Sequence, residues 1–345
     1  MLLVYIGSSL YLCDCVFPAV GDNCERREVL DLTDNEMLAI IINPKSGKRA
    51  YRKQRLYLFK LLKARHQPFT YKVTKYAGHA IELARELVEK GYREILVLGG
   101  DGTLSEVVNG IMSSTIEDKS EVRFGLMPRG TGNDWGRYWG LTHGYRHALD
   151  VFFNNGHSQP IDIGCLTYKR NGEEKKHYFV NSVGFGVDAR TVARAHVLKY
   201  YFGSHRLLYL FALISAVFSH RSLPVEISTE KGFLLQAPMF TMNIGNGPFS
   251  GGGIRQNPDA NPCDGVFHAM FVRRPTAHMI LTALPHVFDG GLKELGFIDF
   301  FEAKDIVLQT NKYTMFEADG ILVDACGPYN IELLPHALQM VVPNV

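Results

Sequence analysis

The residues best suited to chemistry lie in one stretch, Leu96-Val97-Leu98-Gly99-Gly100-Asp101-Gly102-Thr103-Leu104-Ser105-Glu106. An apolar run at 95–98 precedes the glycines and reads as a buried parallel strand. A helix pattern follows, with apolar Val107, Val108 and Ile111 and an acid, Glu106, in the first turn. Strand, glycine turn and helix in that order make a phosphate-binding geometry. Glycine has no Cβ, so backbone and ligand can approach closely. The first N–H groups of the helix have no intrahelical partner and point at an anion. The helix dipole adds about 0.3–1 kcal/mol for a nearby negative charge. Asp101 would repel a bare phosphate in such a turn, and fits there if a divalent cation lies between them. A plain turn with a solvated aspartate would carry the same local residues.

Two more loops deserve the same reading. Asn43-Pro44-Lys45-Ser46-Gly47 follows an apolar run at 38–42 and precedes a basic helix. Ser46 and Gly47 can offer hydroxyl and N–H groups to phosphate oxygens, and Lys45 adds charge; an ordinary capped turn reads alike. Pro128-Arg129-Gly130-Thr131-Gly132-Asn133-Asp134 ends a run at 123–127. Its Thr131 and Asn133 present short polar groups. Asp134 would stand beside Asp101 on a neighbouring loop, a pair suited to Mg²⁺ shared with a nucleotide phosphate.

Positioning these loops takes a particular scaffold. Strand runs at 38–42, 69–74, 95–98 and 123–127 alternate with helix patterns ending near His66 and spanning 78–90, the latter closed by Gly91. Alternation of this kind argues for a parallel sheet covered on both faces, a doubly wound α/β domain. All three loops then lie at the carboxyl ends of strands, the edge where such sheets bind ligands. From about Gln159 the pattern changes. Strand-like runs appear at 160–168, 177–183, 223–229, 233–244, 264–272, 304–310 and 328–334, a second, β-rich domain. Helical inserts are expected at 187–218, broken at Gly203, and at 276–288. The segment 207–218 is apolar nearly all round, either a buried helix or one wall of a pocket for an acyl chain.

In order, Asn43-Pro44-x-Ser46-Gly47, Gly99-Gly100-Asp101-Gly102-Thr103 and Pro128-x-Gly130-Thr131-x-Asn133-Asp134 resemble the diacylglycerol kinase catalytic-domain family of lipid kinases, in its bacterial soluble form. Sphingosine and ceramide kinases are relatives. The likeness continues through Asn246-Gly247, the glycines at 251–253, Asp264-Gly265 and Asp319-Gly320, so it covers about 37–345. The three-motif set is specific, whereas one glycine-aspartate motif alone also fits NAD kinases and phosphofructokinases. The resemblance implies a nucleotide domain at 37–158, a β-sandwich-like lipid domain at 159–334 and a segment, 335–345, returning to the first domain. ATP would lie in the cleft between the domains. Asn43, Pro44, Lys45, Ser46, Gly47, Thr74, Gly99, Gly100, Asp101, Gly102, Thr103, Leu104, Ser105, Thr131, Asn133 and Asp134 would form its site. Asp101 and Asp134 would join a Mg²⁺ network. A structural Mg²⁺ seen in some bacterial members would map to Asn261, Asp264 and Val266. An Asp-Gly hairpin turn explains the same residues.

Phosphorylating a lipid hydroxyl needs a carboxylate within hydrogen-bond reach of that hydroxyl. The family usually reads Asp-Gly-Glu where this chain has Asp319-Gly320-Ile321. Asp319 is therefore the expected base, with Glu317 as a substitute on the same strand face. Ser105 also stands where asparagine is usual. Diacylglycerol is the first expected acceptor. A sphingoid base, monoacylglycerol and phosphatidylglycerol are alternatives, and a catalytically impaired nucleotide-binding regulator is the rival from another class. A lipid acceptor implies transient peripheral membrane contact and leaves a homodimer open.

Composition sets the outer bounds. A chain of 345 residues, 46% apolar and 21% charged, holds roughly two globular domains. The net charge of +2 gives no case for nucleic acid. Lys48, Arg49, Arg52, Lys53, Arg55, Lys60, Lys63 and Arg65 crowd one segment, a solvated helix face or a contact for phosphate or anionic membrane. Six cysteines without a C-x-x-C pair indicate a reduced, cytoplasmic protein. No apolar run reaches the roughly 18–20 residues of a bilayer span. The first 20 residues are apolar, but Asp14 interrupts them and no basic residue precedes Arg26, so residues 1–36 read as a loose extension rather than a signal peptide.

Overall fold

The computed structural model describes residues 2–6, 9–13, 37–47, 51–202 and 206–344. Within the expected extension, β1 (Leu2–Ile6) and β2 (Ser9–Cys13) pair as an antiparallel hairpin. The rest of that extension, and Lys48 and Arg49 of the basic segment, lie outside the described residues.

The first domain follows from its alternating pattern. Strands β3 (Leu38–Ile42), β4 (Phe69–Val73), β5 (Glu94–Gly99) and β6 (Arg123–Pro128) pair in parallel, in the order β4-β3-β5-β6. All five residues of β3 are buried, which is why it reads as a continuous apolar run. Helices α1 (Tyr51–Ala64), α2 (His79–Glu89) and α3 (Asp101–Met112) bury Leu58 and Leu62, Leu83 and Leu87, and Val107 and Ile111 in the same core. Two short helices, α4 (Asp134–Tyr138) and α5 (Tyr145–Asp150), follow β6.

The second domain is a sandwich built from β7 (Gly156–Arg170), β8 (Glu173–Phe179), β9 (Ser182–Gly186), β10 (Leu223–Thr229), β11 (Gly232–Met239), β12 (Thr241–Gly245), β13 (Phe267–Val272), β14 (Ile298–Ala303), β15 (Asp305–Gln309), β16 (Thr314–Ala318) and β17 (Ile321–Pro343). One layer runs β14-β13-β12-β9-β16-β17, and the other runs β8-β7-β17-β15-β10-β11. Phe185, Met242, Phe267 and Phe316 of the first layer meet Leu166, Ile227, Ile306 and Ile331 of the second in one core. Strand β17 serves both layers, and register shifts at 326–330 and 334–338 let it bend between them. Its last part pairs in parallel with β6, Gln339 opposite Arg123, so the chain's end completes the first domain's sheet. Three further helices are inserted, α6 (Val187–Phe202), α7 (Arg206–Ser219) and α8 (Ala277–Ala283).

Helix α7 is only partly buried. Ala212 and Ala216 are fully covered, whereas Phe211 and Phe218 are 62% and 60% exposed. Its apolar composition therefore serves two surfaces, a small core and an outward face.

Candidate active site

Strands β3, β5 and β6 are neighbours, so the loops leaving their carboxyl ends converge. The Asn43 amide donates to Thr103 Oγ1 at 2.9 Å, and Arg129 N–H donates to the Gly99 carbonyl at 2.7 Å. Gly47 is left-handed at φ 74°, and a Cβ there would collide with the Arg129 carbonyl. A Cβ on Gly100 would stand 2.7 Å from Gly130 Cα and 3.4 Å from Ser46 Oγ. The three loops thus meet backbone to backbone. Lys45 N–H and the Asn43 side chain close the first loop at 2.9 Å. Thr74, buried at the end of β4, donates its N–H to the Ile42 carbonyl at 2.9 Å. Leu104 turns its side chain fully into the core, leaving only its backbone to the turn. Asn133 is left-handed at φ 51° and closes its own loop through Nδ2 to the Gly130 carbonyl at 2.9 Å.

The carboxylates are set by these turns. Asp101 opens α3 and accepts N–H bonds from Asp134 at 3.1 Å and Trp135 at 3.3 Å, so it caps α4. Asp134 accepts the Gly252 N–H at 2.7 Å, joining the two domains, and has the Arg137 guanidinium 3.6 Å away. One oxygen of each aspartate lies 3.2 Å from the position a Cβ on Gly132 would take.

Asp319 comes from the other domain. Ala318 pairs with Ile321, leaving a two-residue loop, Asp319-Gly320, in which both residues are left-handed at φ 49° and 81°. That is a type I′ hairpin turn, which Asp-Gly favours. The turn is buried, not superficial. The Asp319 carboxylate accepts N–H bonds from Val180 at 2.9 Å, Asn181 at 3.0 Å and Ser182 at 3.1 Å. Glu317, also buried, accepts the Gly320 N–H at 2.9 Å.

Asp101, Thr131, Asp134, Glu317 and Asp319 line one cavity of about 200 Å³. Its opposite wall comes from Val192, Ala195, His196 and Lys199 of α6 and Leu208 and Tyr209 of α7. Asn261, Asp264 and Val266 do not line it. Asp264 accepts the Val266 N–H at 3.1 Å and faces His268 Nε2 at 3.2 Å, while Asn261 accepts from the Tyr138 hydroxyl at 3.2 Å.

Two family models cover most of the chain. Residues 37–166 match the diacylglycerol kinase catalytic domain, and residues 181–342 match the YegS C-terminal NAD kinase beta sandwich-like domain. The chain belongs to the diacylglycerol kinase catalytic-domain family. As a member of that family it is a lipid kinase of the diacylglycerol kinase type. It is 28% identical over 270 residues to a diacylglycerol kinase of Mycobacterium tuberculosis, covering 78% of this chain and 82% of that one. It is 37% identical over 148 residues to a diacylglycerol kinase of Staphylococcus aureus, 43% of this chain and 42% of that protein. A diacylglycerol kinase crystal structure from Bacillus anthracis shares its fold, with a TM-score of 0.65 at 23% identity, covering 90% of this chain and 97% of that one.

For a kinase, the charge state of this cluster matters. Burial, then the nearby Asp134 charge, push the Asp101 carboxyl up to about 7. Asp134 is raised as well, chiefly by burial. Burial raises Asp319, against the pull of its three backbone N–H bonds and the Ser105 hydroxyl. Among the described residues no group of three or more His, Cys, Asp and Glu side chains is arranged to hold a metal ion. Mg²⁺ bound to a nucleotide asks for less: one or two carboxylates, with phosphate and water completing the shell. Asp101 and Asp134, mutually repelling and facing one point above Gly132, fit that requirement.

Some residues in and behind this cavity escape sequence reasoning. Asn181 and Tyr209 line it only through the fold of the second domain, and Asp188 stands behind it, with Glu317 at Gly184. Asp188 alone had a local signal, an acid in the first turn of a helix that follows a glycine-ended strand.

Proposed function

We propose that this chain transfers the γ-phosphate of ATP to a lipid hydroxyl, with diacylglycerol as acceptor and phosphatidic acid as product. One observation carries the reading: carboxylates from both domains converge on a cavity whose far wall is the α6–α7 insert, where Val192, Ala195 and Leu208 stand beside Tyr209, His196 and Lys199. The loops at 43–47, 99–105 and 128–134 hold the triphosphate through backbone N–H groups. Asp101 and Asp134 would hold Mg²⁺, which would supply neutralisation of the phosphate charge. A carboxylate offers about four lone-pair positions; three at Asp319 take backbone N–H bonds, and the acceptor hydroxyl takes the one otherwise facing the Ser105 hydroxyl. Asp319 takes that proton as the hydroxyl oxygen attacks the γ-phosphorus in line and ADP departs. Its fixed orientation is the main contribution, since this chemistry depends on positioning.

A lipid acceptor also accounts for the outer face of the insert. Tyr200 and Tyr201 of α6 are 84% and 72% exposed, and Phe211 and Phe218 of α7 are exposed as well. Such residues suit transient contact with a membrane surface from the cytoplasmic side. No helix among the described residues is long and apolar enough to cross a membrane.

The test is incubation with labelled ATP, Mg²⁺ and a panel of diacylglycerol, monoacylglycerol, phosphatidylglycerol and a sphingoid base. Label is expected in phosphatidic acid. Asp319→Asn is expected to lose about 10²–10⁴-fold in kcat. Full activity of Asp319→Asn with loss in Glu317→Gln would move the base to Glu317. ATP binding without transfer to any lipid would favour the regulator instead.

A further inference from the structure

Glu317 and Asp188 form a buried carboxyl pair that the reaction above does not use. Glu317 Oε1 and Asp188 Oδ2 lie 2.8 and 2.9 Å from the same point, the place a Cβ on Gly184 would occupy. Only glycine fits at 184. The two acids are unequally supported. Asp188 accepts from Thr241 Oγ1 at 3.1 Å, Asn243 Nδ2 at 2.9 Å and Gln256 Nε2 at 3.0 and 3.1 Å. Glu317 accepts one backbone N–H, that of Gly320. No Lys or Arg ion-pairs with either acid among the described residues. Two buried carboxyls flanking one point disfavour a second charge, and the proton goes to the one with fewer donors.

The titratable and charged groups around Glu317 strengthen that assignment. Asp188 stands on α6, Asp134 on α4 and Asp319 on the β16–β17 turn, and all three disfavour a charge on Glu317. Tyr209 of α7 faces the same cluster, and His196 and Lys199 of α6 stand at the cavity wall. Burial comes first and Asp188 second in raising the Glu317 carboxyl well above the usual range. Asp188, held by amides and a hydroxyl, rises only to about 6.

We infer that Glu317 is a positioning residue that binds the acceptor lipid as a neutral hydrogen-bond donor, with Asp188 retaining the pair's negative charge. This rests on the lipid-kinase reading. A protonated Glu317 offers its O–H to an oxygen of the acceptor next to the hydroxyl that Asp319 deprotonates. Two carboxyl groups of one hairpin thereby divide the work, one donating and one accepting.

Kinetics of Glu317→Gln, Glu317→Leu and Asp188→Asn test this on the full chain, with diacylglycerol in mixed micelles. Gln keeps a donor, so kcat and the lipid KM should stay within about threefold of wild type. Leu loses the donor, so the lipid KM should rise about tenfold, the cost of about one hydrogen bond, while the ATP KM stays unchanged. The wild-type lipid KM should rise at alkaline pH as Glu317 ionises. That rise should vanish in Glu317→Gln and move to lower pH in Asp188→Asn. An infrared difference spectrum between wild type and Glu317→Gln should show the C=O stretch of a protonated carboxyl, whether or not a lipid turns over. A Glu317→Gln enzyme crippled in kcat, an unchanged lipid KM in folded Glu317→Leu, or the absence of that band overturns the inference. Failure of the wild type to phosphorylate any lipid, with the band present, overturns the lipid-kinase reading instead.

Discussion

Two neighbouring glycines should respond to the same substitution with opposite signs. Gly102 is the second residue of α3, and nothing lies within 4 Å of the position its Cβ would take. The protein itself does not require glycine there. Alanine should stabilise the helix by about 0.5–1 kcal/mol. If the space above Gly102 belongs to the triphosphate, the new methyl group will weaken Mg·ATP binding by about tenfold, or about 1.4 kcal/mol. Gly100 differs. Its φ of −100° is ordinary for any residue, so the backbone is not the obstacle. A Cβ would stand 2.7 Å from Gly130 Cα and 3.1 Å from Gly130 N, both backbone atoms that cannot rotate away. Gly100→Ala should cost about 1–3 kcal/mol through overpacking and push two loops apart. Urea midpoints give the stabilities, and equilibrium titration with Mg·ATP gives the affinities. A Gly102→Ala protein that binds Mg·ATP like wild type would refute the phosphate-cradle argument at its centre.

Asp101 gives a pH-dependent prediction. Its folded carboxyl is raised to about 7, while in the unfolded chain it titrates near 3.8. The folded state therefore holds the extra proton, and stability falls as pH rises between those values. Asp101→Asn lacks this dependence, so without Mg²⁺ it should gain on wild type across that range, by up to about 1.4 kcal/mol per pH unit. Added Mg²⁺ should narrow the gap by stabilising wild type alone; thermal melts with and without the ion check this. Glu106 lies in the same glycine motif but faces away from it. It accepts N–H bonds from Gly78 at 2.8 Å and Ala80 at 3.2 Å, capping α2, whose N-cap residue, Gly78, has no side chain of its own. Glu106→Ala should lose about 0.5–2 kcal/mol of stability and leave ATP affinity within about twofold. A tenfold loss of ATP affinity at unchanged stability would show that Glu106 touches the nucleotide.

The first domain was legible because its signals are local. Runs at 38–42 and 95–98 are apolar throughout, since both faces of their strands are covered, and the helices between them keep a one-sided stripe. The second domain was legible as β-rich, but its critical strands were not. In β16, Phe316, Glu317 and Ala318 are all buried, so the alternation that marks a half-exposed strand is missing. In β9, Gly184 and Gly186 weaken the strand signal, yet Gly184 is needed where the Glu317 and Asp188 carboxyls crowd the backbone. The run read at 177–183 straddles the end of β8 and the start of β9, and the one read at 328–334 is the middle of a strand of 23 residues.

The site itself follows the same division. Asp101 and Asp134 sit in turns whose sequence announces them. Asp319 sits in a turn whose sequence announces only a turn. Asp-Gly between two strands is what a type I′ hairpin requires, and nothing local says whether its aspartate faces water or a cavity. That is decided by Val180, Asn181 and Ser182, about 140 residues earlier in the chain. Their three N–H groups need an acceptor where β8 passes into β9, because buried backbone donors left unpaired are costly. Asp319 supplies it. The bonds that fix the hairpin to the sandwich therefore also orient the carboxylate, and substituting it will always disturb folding and reactivity together. Separating the two requires a readout at fixed fold, which is why the kcat of Asp319→Asn has to be normalised to the fraction of protein able to bind Mg·ATP.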